Sequence, residues 1–142
     1  MLVRSLFYAK KAEGIPEFFE FVNGVDTAEE AYRMQRVADM MAAYHNLYDS
    51  VAELRASDNH AILLTEHGGL VVPLFYDYLS WTLPVASMMR ETAKTVESFE
   101  VASAPEIRIS GKMAPRCRTE AEALGFVVFE NSAELLVDLE GW

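Results

Sequence analysis

The segment 27–56 constrains the fold more than any other part of the sequence, because neither Gly nor Pro interrupts it. Thr27 and Glu30 fit a capping box, in which a hydroxyl and a carboxylate satisfy the first backbone amides of a helix. Apolar residues then recur at intervals of three and four, which is typical of one helix face; they are Val37, Met40, Met41, Tyr44, Leu47, Tyr48, Val51 and Leu54. The sequence predicts one continuous amphipathic helix over 27–56.

The length of this helix leads to an expectation about association. At ~1.5 Å per residue it would measure about 45 Å, whereas a compact domain of this length has a diameter of roughly 37 Å. We therefore expect a second copy to cover the helix, giving a homo-oligomer, most simply a dimer. The predicted interface residues are Val37, Met41, Tyr44, Leu47, Tyr48 and Val51. The alternative is a break near Asn46, with two shorter helices folded onto one core.

Short apolar runs follow at 61–64 and 70–75, separated by a turn that contains Gly68 and Gly69. This pattern predicts a β-hairpin. Pro73 has no amide to donate to a sheet, so the second run is expected at a sheet edge. A second helix is predicted over about 77–101, either kinked or restarted at Pro84.

The last third of the chain alternates between strand and helix patterns. Strands are expected at 106–110 and 126–130, and a helix at 115–124 that ends at Gly125. The crossover between the strands is long enough for them to run parallel. Asn131 is positioned to cap a final helix.

The fold class predicted from these patterns is α+β, a single domain over 1–142. It combines the long helix with a small sheet of about four strands. Its parts are an N-terminal helical region 1–57, a hairpin and helix 58–103, and a β-α-β-α unit 104–142.

Composition excludes several classes of function. The chain has 22 acidic against 12 basic residues and a net charge of −10, so a nucleic-acid backbone or an anionic membrane is repelled on average. The apolar stretch 70–89 contains Asp77, Pro73 and Pro84, which disfavour a membrane span. With a single cysteine, Cys117, and an N-terminus that lacks signal-peptide character, we expect a cytoplasmic protein.

A glycine-bearing loop between a strand and a helix is a candidate anion site. Its residues are Ser110, Gly111, Lys112, Arg116 and Arg118. The loop lacks the spaced glycines of a P-loop or of a dinucleotide fingerprint, so ordinary surface charge explains it as well. Cys117, in the same helix, shares a face with Ala121 and Leu124 and is expected to be buried and inert.

The predicted hairpin also contains a candidate metal site. His60, Glu66 and His67 lie at its two ends, and imidazole and carboxylate groups are common metal ligands. None of the histidines has the i, i+4 spacing of a dedicated zinc motif, so a solvated polar turn is the alternative. No serine elbow or other catalytic constellation is present, and no cofactor is implied.

These observations favour a non-catalytic protein-binding, adaptor or chaperone-like domain that self-associates through helix 27–56 and that binds another protein through exposed apolar residues. The alternative is a small-molecule or anion-binding enzyme domain that uses the loop 108–118 or the His60/His67 hairpin. An adaptor is expected to retain a polypeptide partner, and an enzyme domain is expected to retain a small ligand.

Overall fold

A computed structural model of the chain describes residues 28–57, 60–99, 101 and 103–133. Within them the helices are α1 (Ala28–Leu47), α2 (Leu83–Glu97) and α3 (Pro115–Ala123). The strands are β1 (Val51–Ser57), β2 (His60–Thr65), β3 (Leu70–Leu74), β4 (Tyr78–Leu79), β5 (Glu106–Ile109), β6 (Lys112–Met113) and β7 (Val127–Phe129). The α+β class predicted from the sequence is confirmed, with more strands than expected.

Five of the strands form one mixed sheet in the order β1-β2-β3-β5-β7. The first three make an antiparallel meander, which confirms the predicted hairpin between β2 and β3. β5 then runs parallel to β3, and β7 runs parallel to β5, each after a helical crossover. The spacing of the last third predicts the second of these two arrangements. β4 and β6 pair separately as a short parallel ladder beside the main sheet.

The prediction of a continuous helix over 27–56 is wrong. α1 ends at Leu47, and Val51–Ser57 forms β1, which pairs with β2. Asp49 and Ser50 are weak helix formers, and the His45 ring accepts a 2.8 Å hydrogen bond from the Val51 amide, which stabilises the turn out of the helix. The chain does break near Asn46, but the second piece is a strand rather than a helix.

A register irregularity in β1 explains why this strand resembled a helix in sequence. The pairing with β2 shifts between Val51 and Glu53, as in a β-bulge. Because of the extra residue, Val51 and Leu54 lie in the same core cluster although three positions separate them. The three-residue spacing of apolar side chains, which predicted a helix, is therefore produced here by a bulged strand.

The sheet has a different cover on each face. α2 and α3 pack on one face over a core that includes Ile62, Leu70, Val72, Leu74, Met89, Ile107, Ile109, Cys117 and Val128. α1 packs on the opposite face, over the meander, in a second core that includes Met34, Val37, Met41, Tyr44, Val51, Leu54, Leu63 and Val71. A helix about 10 Å wide covers two or three strands spaced ~4.8 Å apart. Within the described residues, α1 therefore leaves the β5–β7 half of this face open, apart from side chains at the border of the helix.

The expectation that Pro73 marks an edge strand is also wrong, because β3 is the central strand of the sheet. The Leu74 carbonyl accepts from the Ser110 amide on the β5 side, and alternation along the strand turns Pro73 toward β2. The pairing between β2 and β3 reaches only Val71. Pro73 lies beyond that ladder, so its missing amide removes no bond.

The second helix is shorter than predicted, because it begins at Leu83, directly before Pro84, and ends at Glu97. Thr82 is the N-cap of α2, with its side chain accepting from the Val85 amide, and Pro84 occupies the first turn, where no amide is needed. The apolar stretch 70–89 is thus divided among β3, β4 and the start of α2. No helix among the described residues is long and apolar enough to cross a membrane.

The C-terminal unit follows its predicted pattern as far as the structure describes it. Ile107 and Ile109 are fully buried on one face, and Gly125 has a φ of +99° just after α3, a left-handed helix stop. The final helix expected after Asn131 and the cap expected at Thr27 lie outside the described residues.

Candidate functional site

The loop predicted to bind an anion uses its backbone amides within the chain. Each amide from Ser110 to Ala114 has an acceptor: the carbonyls of Leu74 (2.9 Å), Tyr76 (2.9 Å), Asp77 (3.0 Å) and Leu79 (2.9 Å), and for Met113 the Glu130 carboxylate (3.1 Å). An anion cradle requires amides that point together into an open space. This loop therefore joins β5 and β6 to the segment after β3.

Ser110 and Gly111 have structural partners as well. The Ser110 hydroxyl accepts from the Tyr76 amide at 2.9 Å and donates to the Tyr76 carbonyl at 3.0 Å. A Cβ on Gly111 would overlap the Asp77 carbonyl and lie 2.5 Å from the Tyr76 oxygen. The glycine permits a close approach of two backbone segments at the carboxyl ends of β3 and β5.

The cations of the same loop do not converge. Lys112 and Arg116 are exposed, whereas Arg118 donates to Glu122 at 2.9 Å and also to Glu130. The hydrogen bond to Glu122, followed by that to Glu130, raises the pKa of Arg118 above its usual value. Arg118 therefore links α3 to the end of β7, with its charge balanced by two carboxylates.

The candidate metal residues are separated by the length of β2. His60 begins the strand, and Glu66 and His67 follow its other end. His67 is exposed and its Nδ1 lies 2.6 Å from Asp49 Oδ1; this hydrogen bond raises the pKa of the imidazole. Among the described residues, no group of three or more His, Cys, Asp or Glu is arranged to hold a metal ion.

Four of the six predicted interface residues are core residues of their own subunit. Val37, Met41, Tyr44 and Val51 are buried between α1 and the sheet, so the premise of an uncovered helix stripe is wrong for them. The remaining two, Leu47 and Tyr48, are 45% and 57% exposed. They lie at and just after the end of α1, where the helix no longer covers the sheet.

Beside these residues lies a cluster that the sequence did not predict. We name it the Arg108 cluster: Arg108, Tyr44, Tyr48, Phe129 and Glu106. The Arg108 guanidinium carbon is 4.0 Å from the Phe129 ring centroid, 4.7 Å from Tyr48 and 5.6 Å from Tyr44. The two tyrosines stack with centroids 5.2 Å apart. Cation–π attraction of this kind favours a partly buried guanidinium.

The electrostatics of the cluster are balanced by one carboxylate. Glu106 Oε2 lies 3.5 Å from Arg108 Nε and accepts from the Tyr44 hydroxyl at 3.4 Å. Burial, and then the negative charge of Glu106, raises the pKa of Tyr44 to about 12. Tyr44 is therefore a neutral hydrogen-bond donor at ordinary pH.

An apolar surface surrounds this balanced pair of charges. We name it the Tyr48 surface; it consists of Leu47, Tyr48, Val127 and Phe129, all of them exposed. Val127 and Phe129 alternate with the buried Val128 and so lie on the open half of the sheet. The rings of Tyr48 and Phe129 both lie against the Arg108 guanidinium.

Part of this cluster had a signal in the sequence. In β5, Arg108 alternates with Ile107 and Ile109, so strand periodicity places it on the face opposite the isoleucines. The sequence did not reveal that Tyr44, more than sixty positions earlier, lies over the same strand.

A shallow groove of about 430 Å³ lies along α2, lined by residues that include Leu83, Arg90, Lys94 and Glu97. Its charges are of mixed sign and nothing in the described residues indicates an occupant.

The comparisons with known proteins give no match: no family model fits the chain, and no curated protein or solved structure is similar to it. Inference about function therefore depends on the residues and their geometry.

Proposed function

We propose that this chain is a non-catalytic protein-binding domain that self-associates as a homodimer through the Tyr48 surface. The observation that carries the proposal is the exposure of Tyr48 and Phe129, 57% and 36%, whose rings both contact Arg108. Large aromatic side chains next to an arginine are the residues that contribute most to binding at protein interfaces.

The charge of the chain supports a second copy as the occupant. With a net charge of −10, two copies repel each other over most of their surface. At the Tyr48 surface, the positive charge of Arg108 is offset by Glu106, and the four surrounding side chains are apolar. Two such faces meeting across a twofold axis bury apolar area without bringing like charges together.

The alternative function, a small-molecule or anion-binding domain, has less support. The amides of the 110–114 loop already have acceptors within the chain, and His67 is bound to Asp49 rather than lying beside His60. A thermal shift produced by phosphate or by zinc ions would favour this alternative.

The experiment that tests the proposed dimer is a mass measurement by light scattering over a range of concentrations. The wild type is expected to approach twice the 16.0 kDa of one chain. Tyr48→Ser removes the ring from an exposed position, and we expect dimerisation to weaken by about tenfold or more.

Leu83→Ser is the matched control, because Leu83 is 87% exposed but lies at the start of α2, away from the Tyr48 surface. This variant is expected to dimerise like the wild type. A wild type that stays at 16.0 kDa at the highest concentration would refute the proposal, as would dissociation by Leu83→Ser alone.

A further inference from the structure

Three arginines of the described chain lie over aromatic rings, and their hydrogen bonds differ. Arg33, over Tyr76, donates from Nε to the Phe75 carbonyl at 3.2 Å. Arg36, over Phe75, donates to the Asp39 carboxylate at 3.1 Å, although its Nε is also buried without a hydrogen-bond partner in the described part of the chain. Arg108 has three rings around it, and its Nε is buried with no hydrogen-bond acceptor among the described residues.

The position of Arg108 makes this lack of acceptors costly. Its side chain is only 13% exposed, and Nε is buried without a hydrogen-bond partner. Glu106 lies 3.5 Å from Nε, close enough to balance the charge but without forming a hydrogen bond. A guanidinium has five N–H donors, and a charged group that leaves water without acceptors loses the hydration that stabilised it.

We propose that Arg108 binds a carboxylate supplied by the second copy of the chain. This inference rests on the proposed dimer and names the polar contact at its centre. A carboxylate matches the planar fork of a guanidinium with two parallel hydrogen bonds. Because Nε is buried, the carboxylate approaches the terminal nitrogens Nη1 and Nη2, between the rings of Tyr48 and Phe129.

The composition of the chain favours a carboxylate as the group that arrives. A second copy has 22 acidic residues and only 12 basic ones, so its side chains supply carboxylates more often than cations. The Arg108 side chain is only 13% exposed, and a charge-assisted hydrogen bond is stronger at a site with little access to water.

The first arm of the test uses acetate as the probe and the wild type at a concentration below the dimer transition, so that binding is measured on the monomer with the Tyr48 ring in place. The Nε–H signals of Arg108 and Arg33 are followed by NMR as acetate replaces chloride at constant ionic strength. We expect a saturable shift for Arg108 and none for Arg33, whose Nε already donates to Phe75. Equal shifts of both signals, or no shift of Arg108, would overturn the inference.

The second arm follows the same Arg108 signal in the wild type as its concentration rises through the dimer transition. A shift in the direction that acetate produces would support a carboxylate from the second copy. If dimers form and the Arg108 signal does not move, the inference fails while the proposed function stands. If no dimer forms but acetate shifts Arg108, the proposed function fails, and with it the second copy as the source.

In the dimer, Arg108→Gln should weaken association by roughly tenfold or more, because glutamine keeps an amide donor but not the charge or the fork. Lys112→Gln is the control, since Lys112 is an exposed cation on β6, outside the Tyr48 surface. Equal effects of the two substitutions would indicate a general charge effect and would count against the proposed contact.

Discussion

Substitution of Gly111 by alanine tests whether the 110–114 loop is a structural junction. In the native chain the Gly111 amide donates to the Tyr76 carbonyl at 2.9 Å, and the next amide, that of Lys112, donates to Asp77 at 3.0 Å. A Cβ at Gly111 overlaps the Asp77 carbonyl. Either these two backbone segments separate or both hydrogen bonds distort.

The magnitude follows from these contacts. Two weakened backbone hydrogen bonds cost about 1 kcal/mol each, and forcing an extra carbon into a packed contact costs about 1–3 kcal/mol. We therefore expect Gly111→Ala to lower the free energy of unfolding by about 3–5 kcal/mol, a large part of the stability of an ordinary domain. For a chain of this size the melting temperature should fall by about 10 °C or more.

Urea denaturation followed by circular dichroism measures this loss, with Gly125→Ala as the control. Gly125 has a φ of +99°, but a Cβ at this position would have no neighbouring atom within 4 Å. Alanine there costs only the left-handed backbone strain, about 1–2 kcal/mol. If Gly111→Ala is no more destabilising than Gly125→Ala, the close approach of the two backbones is not what stabilises this junction.

Three further predictions concern the core, the thiol and the exposed histidine. Met41→Ala, at a fully buried position of α1, should cost about 2–5 kcal/mol in urea denaturation; a loss below about 1 kcal/mol would contradict its place in the core. Cys117 is buried and burial raises the pKa of its thiol, so a maleimide should label it only as fast as the protein unfolds, and rapid native labelling would show an open site. His67 should titrate in NMR above its ordinary value of about 6.5, because the hydrogen bond to Asp49 raises its pKa; the stability that this pair adds is present below that ordinary value and is lost as pH rises through the folded pKa. Burial opposes the ionisation of Asp49, but the hydrogen bonds from His67 and Thr65 outweigh it and lower the pKa of Asp49. The stability that the His67–Asp49 pair adds is therefore also lost in strong acid. If the urea midpoints of the wild type and of His67→Gln differ by the same amount at all pH values, this prediction is contradicted.

Local patterns predicted the elements that local chemistry determines. The turn at Gly68 and Gly69, the helix stop at Gly125 and the alternation of Ile107 and Ile109 all depend on residues close in sequence. The structure confirms each of them. The parallel arrangement of β5 and β7 was also predictable, because a crossover of that length leaves few other connections.

The errors came from places where distant pairing decides the outcome. Residues 52–56 are alanine, glutamate, leucine, arginine and alanine, which are good helix formers, yet they pair with β2 as a strand. Their strand conformation depends on the hairpin partner rather than on their own propensity. The prediction from Pro73 was wrong for the same reason. A proline is accommodated in this central strand because the hydrogen bonding between β2 and β3 stops before Pro73.

The candidate site was predictable only in part. Leu47 and Tyr48 were expected at an interface and are exposed, but the same argument also included Val37 and Met41, which the sheet covers. The sequence analysis did not predict the pairing of β1 with β2, and so it lacked the sheet that buries Val37 and Met41. Arg108 was counted with the surface charges of its loop, since nothing near it in sequence indicates three aromatic neighbours.

The irregular register of β1 also determines which changes of length this strand tolerates. Val51 and Leu54 both reach the α1 core because the bulge absorbs the one additional residue that intervenes between them. Loss of Ala52 alone would remove the bulge and leave Val51 and Leu54 two positions apart, on the same face of a regular strand. A single-residue deletion should therefore be tolerated at the bulge but not within 54–57, where the pairing with β2 is regular and a deletion would reverse the faces, and a deletion scan across 51–57 would reveal that difference.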